Sequence, residues 1–369
     1  MVETFDVGSL PARVDESVLW EGARRAGTIL PYVGLGGEAL DVFKEQVVGG
    51  FIDKLNAGCD IPNYPQYRDM NDMFFDMLTG IEKTESGYLH KGKIKAKPGS
   101  SIQEVDLIKG DLSRIRGETG LDKVKVKICV TGPYTLGSFF SVKSPRLYTE
   151  LGEALSDIID RSIFHTRSGE TVLLSVDEPV LGFLNDPQLD YGAEGRVTLR
   201  ESWDTICRIA RLHDMETSMH LHNTSEGLFW DAKYLRILEP HMGDPLYTQD
   251  TTKQKLEETD KRLKASIFVT LFDNLIQSRL EAQGKLKNVQ EKIGETWNQI
   301  RLGKVDPRVF LDEPTLIEKR LDDIVSRFGE ERVPYTGPEC GLGSWPGYEL
   351  AFECLRRISL VVDKFNSKR

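Results

Sequence analysis

The sequence predicts a (β/α)8 barrel of the TIM type, an α/β fold carried by one domain over residues 1–369. Three observations lead there. Short apolar or alternating runs recur between helix-patterned stretches along the whole chain. Each run ends in polar residues with chemical potential: Ser9, Asn63, Thr131, Asp177, His220, Asp250, Asp306 and Cys340. In a parallel barrel all eight strand C-termini open on one face, which is where the active site sits. The third observation is negative. No G-x-G-x-x-G follows the first strand, so a doubly wound open sheet, the alternative, lacks its usual phosphate-binding turn.

Taken in order, Phe5-Asp6-Val7 reads as a short strand that breaks at Gly8-Ser9-Leu10-Pro11. A helix spans about 37–57, with Phe43, Val47 and Phe51 apolar, and Gly58 ends it. Cys59-Asp60-Ile61 is a very short strand running into Pro62-Asn63-Tyr64-Pro65-Gln66-Tyr67-Arg68. Residues 83–112 read as a hairpin excursion on the barrel rim, closed near Lys91-Gly92. Val124 to Val130 alternates cleanly and ends at Thr131-Gly132-Pro133. Thr171 to Val176 is an apolar strand ending at Asp177-Glu178-Pro179. Thr217 to Leu221 is next, and Pro245 to Thr248 is expected to follow it as a strand. Residues 252–298 read as a helical insertion, which would cover the site, join two copies as a homodimer, or stand as a solvated helix pair. Residues 300–306 and 332–336 complete the expected strands, and an amphipathic helix over about 347–365 closes the chain.

Composition limits the partners. The chain is 39% hydrophobic and 29% charged, with a formal net charge of −10 and no basic stripe. Nucleic acid is not an expected partner. No apolar stretch is long enough to span a membrane. The five cysteines are odd in number and widely spaced, as suits reduced thiols. The first residues lack the basic start and apolar run of a signal peptide, so the cytoplasm is the expected location.

The chemistry concentrates in a few stretches. His220 and His222 lie two apart, so on a strand they share a face, about 7 Å from each other along it. Two imidazoles so placed reach one metal ion if the chain turns there, and Cys340 in a glycine-rich loop offers a soft third ligand. A His-x-His pair on a strand is otherwise ordinary polar surface or a satisfied core histidine. Asp177 follows a fully apolar strand, where a carboxylate is costly unless paired or used on a ligand such as an amino group. Its other reading is a cap on the amides of the next loop. Gly8-Ser9 offers a backbone N–H and a hydroxyl to a carboxylate. Gln66 and Tyr67 fall where a substrate pocket would be.

Five landmarks then fall in a familiar order: Val7-Gly8-Ser9-Leu10-Pro11, Asn71-Asp72-Met73-Phe74, Thr131-Gly132-Pro133, Asp177-Glu178-Pro179 and Pro338-Glu339-Cys340-Gly341-Leu342. The chain resembles the C-terminal catalytic barrel of the cobalamin-independent methionine synthase family, in its single-barrel form. The resemblance implies a zinc ion that activates homocysteine or a related small thiol for methyl transfer. It places His220 and Cys340 as zinc ligands, Asp177 at the acceptor's amino group and Gly8-Ser9 near its carboxylate. The family's usual His-x-Cys is His220-Leu221-His222 here, which puts His222 in the ligand set. The family's glutamate ligand falls at the end of the next strand, and Asp250 is the chemically sensible substitute. The family's proton-donating histidine has no counterpart in Val305-Asp306-Pro307-Arg308, and the resemblance does not extend to a folate-binding half. Both departures point to a methyl donor of the corrinoid-protein kind. The alternatives are alkyl transfer or epoxide opening by a zinc-bound thiolate, or a barrel whose metal site has decayed into a binding role.

Overall fold

The computed structural model describes residues 1–27, 37–284 and 287–368. Its strands are β1 (Glu3–Thr4), β2 (Leu78–Thr84), β3 (Gly87–Ala96), β4 (Val124–Thr131), β5 (Gly169–Asp177), β6 (Glu216–Leu221), β7 (Ile237–Pro240), β8 (Arg262–Phe268) and β9 (Tyr335–Pro338). Seven of them form one parallel sheet in the order β1-β9-β8-β7-β6-β5-β4, and β2 and β3 pair as a separate antiparallel hairpin.

The sheet curls, but a regular eighth strand does not close it. The edges β1 and β4 are joined through residues 60–66. Ile61 N donates to Thr4 O (3.0 Å), Gln66 N to Gly8 O (3.2 Å) and Tyr64 N to Lys127 O (3.3 Å), while Lys127 N donates to Pro62 O (2.9 Å). Single parallel bridges, Ser9 with Gln66 and Asn63 with Lys127, are all the ladder that forms. Pro62 and Pro65 explain this, because neither has an N–H to give to a neighbouring strand. The eightfold barrel expected from the sequence is thus seven strands and an irregular seam.

Three further expectations change. The run 245–248 is not a strand: Pro245–Tyr247 is a 3-10 turn, with Asp244 accepting from Leu246 N at 2.8 Å. Residues 300–306 are the end of helix Val289–Arg301 and a loop. The strands assigned there are β7 and β8, both earlier in the chain. Residues 252–298 therefore do not form a helical insertion, since β8 sits between β7 and β9 in the sheet. Only helices Phe272–Ala282 and Val289–Arg301 remain as an added pair. The rim excursion is a hairpin, but it turns at Glu85-Ser86, where Thr84 faces Gly87, and not at Lys91-Gly92.

The helices pack outside the sheet. Helix Pro145–Ser162 starts at Ser144, whose side chain accepts from Leu147 N, with Pro145 in the first turn. The last helix, Tyr348–Ser367, lays Leu350, Leu355, Ile358 and Val362 inward. Among the described residues no helix is long and apolar enough to cross a membrane.

Inside the sheet the side chains stack in layers, as barrel interiors do. Phe5, Ile61, Leu173, Ile237 and Tyr335 form an apolar plug at the N-terminal end. Above it lies a charged layer. Lys127 Nζ stands 3.2 Å from both Glu239 carboxylate oxygens, Lys264 Nζ is 3.7 Å from Glu239, and Lys54 Nζ is 2.6 Å from Asp6. Lys127 and Lys264 also sit over the Phe5 ring, 4.1 and 5.0 Å from its centroid. The third layer, at the C-terminal ends, is the mouth.

Candidate metal centre

At the mouth β6 ends with Ser218 and His220 turned inward, while Met219 and Leu221 are buried in the apolar core. The β6–β7 ladder pairs His220 with Glu239 and Leu221 with Pro240. Pro240 cannot extend the ladder, so the chain leaves the sheet there and His241 follows at the level of His222.

Four donors meet at this point: one atom each from His220, His222, His241 and Cys340, all within 4.8 Å of one another. Cys340 Sγ lies 3.7 Å from His220 Nε2 and 3.6 Å from His222 Nε2. The His222 and His241 rings are 4.0 Å apart between centroids, and the His220 ring is 5.1 and 5.3 Å from them. The structure brings together His220, His222 and Cys340, as the sequence suggests. It does not bring Asp250. That side chain is fully exposed in the first turn of helix Asp250–Thr259 and pairs with Arg327 at 2.8 Å. His241, unforeseen, is the donor from the strand after β6. Its signal was the polar residue directly after Glu239-Pro240.

The electrostatics suit a cation. Burial, and then each other's charge, hold His220 well below the usual histidine range. Burial lowers His222 too, and it takes His241 to about 3. All three imidazoles are therefore neutral, with lone pairs to offer. Burial pushes the Cys340 thiol up to about 11. His220 Nδ1 and His241 Nε2 are buried with no hydrogen-bond partner. Three neutral imidazoles and one thiol, with orphaned buried nitrogens among them, fit a zinc ion, which takes nitrogen and sulfur ligands. The thiol would give up its proton on binding.

Beside the cluster, Asp177 ends β5 as the ladder partner of His220. It is buried and accepts from Ser175 Oγ at 2.7 Å. Burial raises its carboxyl to about 7, against the pull of Lys127. The capping role belongs to its neighbour. Glu178 accepts from Tyr134 N (2.9 Å), Thr135 N (2.7 Å), Thr135 Oγ1 (2.7 Å) and Trp203 Nε1 (2.8 Å), and so fixes the start of helix Pro133–Ser138. Gly8 has φ +138°, and a Cβ there would stand 2.5 Å from Asn63 Nδ2 and Gln66 Oε1, so only glycine fits. Ser9 serves the Cys340 loop: Gly343 N donates to its Oγ (3.2 Å) and Leu342 N to its carbonyl (2.9 Å). Gln66 is buried and gives Nε2 to Cys129 Sγ at 2.9 Å. Asn63 Nδ2 reaches the same sulfur at 3.0 Å, a pairing the sequence did not suggest. Tyr67 points away from the mouth, with its hydroxyl donating to Gln46 O at 3.1 Å in helix Gly37–Asn56. It belongs to the packing of that helix and not to the pocket.

The architecture and this mouth define a curled parallel α/β barrel with a nitrogen–sulfur donor cluster at its C-terminal face. Two solved structures share that architecture over their full length. One is described as a B12-independent methionine synthase from Shewanella sp. W3-18-1 in complex with selenomethionine. It is 13% identical, with a TM-score of 0.59 and 100% of both chains covered. The other is a putative vitamin-B12-independent methionine synthase from Listeria monocytogenes, 14% identical, with a TM-score of 0.57 and 99% of both chains covered. At such identities the likeness establishes the fold. No protein-family model and no curated protein sequence matches the chain.

Proposed function

We propose that the chain is a zinc-dependent methyltransferase whose acceptor is a small thiol such as homocysteine. One observation carries the reading: His220, His222, His241 and Cys340 present four converging donors at the mouth of the same fold as the two B12-independent methionine synthases. A zinc ion held there, with one of the four donors yielding its place, would supply the acidity that turns an incoming thiol into a thiolate at neutral pH. The chain's own groups do the rest. His220, His222 and His241 would hold the ion through neutral nitrogens, and Cys340, on losing its proton, would add the single anionic ligand. Asp177, held by Ser175, offers a carboxyl group that an acceptor's ammonium would keep ionised. Ser9 keeps the Cys340 loop seated against the loop that follows β1. In the reaction the acceptor sulfur bonds to the methyl carbon as the donor–methyl bond breaks, and the donor keeps the electron pair. The solved neighbours are described as independent of B12, so they lend no support to a corrinoid donor, and the reading rests on the acceptor side.

The test is elemental analysis of the purified chain together with a thiol-methylation assay. Near-stoichiometric zinc, and methylation lost on chelation and restored by zinc, are expected. A metal-free chain with full activity would sink the proposal.

A further inference from the structure

We propose that Glu339 is a positioning residue for the metal centre: its buried carboxylate sets the spacing between His241 and Cys340. The inference rests on the zinc reading above and adds a group that is not itself a donor. Glu339 precedes Cys340 and is 7% exposed. Among the described residues it forms no ion pair, and a buried carboxylate without a cation is retained only where hydrogen bonds compensate it. Its two partners are backbone amides from two other strand ends. Oε2 accepts from Met242 N at 3.0 Å, and Oε1 accepts from Thr270 N at 2.9 Å. Its own N–H donates to Phe268 O at 3.1 Å. One side chain thus ties the ends of β7, β8 and β9.

The tie matters most at β7. Pro240 ends the ladder with β6, so no sheet hydrogen bond holds the chain beyond it. Ser266 Oγ donates to Pro240 O at 2.7 Å and holds the residue before His241. Met242, the residue after His241, is held by Glu339. His241 is therefore suspended between two anchors, and one of them leads directly to Cys340. The other side of the Cys340 loop is pinned to Ser9. A ligand pair framed this way meets a cation without first ordering two loops, which is how outer groups raise metal affinity.

The experiment compares zinc affinity, by competition with a chromophoric chelator, in the wild-type chain, Glu339→Ala, Glu339→Gln and a control, Asp186→Ala. Asp186 is likewise a buried carboxylate accepting a backbone amide, from Gln188 N at 3.0 Å, but in the loop after β5. Glu339→Ala is expected to weaken zinc binding by roughly 10- to 100-fold. Glu339→Gln keeps one acceptor oxygen, turns an NH2 toward the second amide, and should fall between. The visible bands of the cobalt(II)-substituted chain should shift in both Glu339 variants. Asp186→Ala should lower thermal stability while leaving zinc affinity and the cobalt spectrum unchanged. Wild-type zinc affinity and cobalt spectrum in both Glu339 variants would overturn this inference while leaving the zinc reading intact. If the wild-type chain itself binds no zinc, the metal reading fails and this inference with it. If Glu339→Ala does not fold, Glu339→Gln decides between the same two results.

Discussion

Two layers of the same barrel, one above the other, treat polar groups in opposite ways. In the middle layer Lys54, Asp6, Lys127, Glu239 and Lys264 are withdrawn from water, yet each carries a partner at hydrogen-bond or ion-pair distance. In the mouth layer His220, His222, His241 and Cys340 lean on one another, and two ring nitrogens meet nothing. The contrast is sharpest at His241, whose buried Nε2 has no partner although its ring lies 4.0 Å from that of His222. Buried polar groups without partners are rare enough that each needs a cause. The middle layer closes its charges on one another, and the mouth layer gathers four donors that face one another.

The sharpest way to break that contrast is to remove a donor. Cys340→Ser and His220→Ala should each bring bound zinc to background and abolish methylation while the chain stays folded, as elemental analysis, turnover and circular dichroism would show. Retained zinc in either variant removes the distinction between the layers. Removing a charge from the middle layer should do the reverse. Glu239→Leu leaves Lys127 and Lys264 facing each other unpaired, and should cost roughly 3–5 kcal/mol in urea unfolding. A cost under about 1 kcal/mol would mean the array is not a structural element.

The boundary between the layers is Asp177, and its test is pH. Its carboxyl rises from 3.8 unfolded to about 7 folded, mainly through burial. The folded state therefore binds the proton more tightly. The stability this contributes is complete below the unfolded value and is lost as pH climbs through about 7. In metal-free protein Asp177→Asn, which mimics the protonated form, should be the more stable chain near pH 8. The gain is at most a few kcal/mol, at roughly 1.4 kcal/mol per unit, and should shrink toward zero near pH 4. A difference that does not vary with pH contradicts this. The smallest effect belongs to Asp250→Ala. Asp250 is fully exposed and its pair with Arg327 is screened by solvent, so the urea midpoint should barely move and zinc content should not change.

What could be read from the sequence follows from how the barrel uses polarity. His220 and His222 were legible because a two-residue spacing on a strand needs no tertiary information. Cys340 stood out among its glycines. His241 was hidden because β7 has only four residues and ends in proline, so Leu235 to Leu238 resembles the end of a helix. The strand was then placed eight residues late, and that error carried Asp250 into the ligand set. β8 was hidden by its own alternation. Its inward positions, Lys264 and Ser266, are polar because they meet Glu239, Pro338 and Pro240, while Leu263, Ala265 and Ile267 face the helices. Its charges made it look like solvated sequence. Tyr67 was misassigned for the converse reason: a hydroxyl near a loop looks like a pocket group until Gln46 O is seen to accept it.

The irregular seam at residues 60–66 gives the mouth a stiff half and a compliant half. His220 stands on β6, whose ladders to β5 and β7 run without a register shift, and Cys340 follows β9, which is paired on both sides. Gly8, Asn63 and Gln66 stand along a seam of isolated hydrogen bonds, which opens by smaller and cheaper fluctuations. Hydrogen exchange should therefore run faster at the amides of Ile61, Tyr64 and Gln66 than at those of β5 and β6. The seam is nonetheless tightly filled: only glycine fits at Gly8, and Ser9, bridged to Gln66, also holds the Cys340 loop, so a substitution along the seam reaches the donors through that loop.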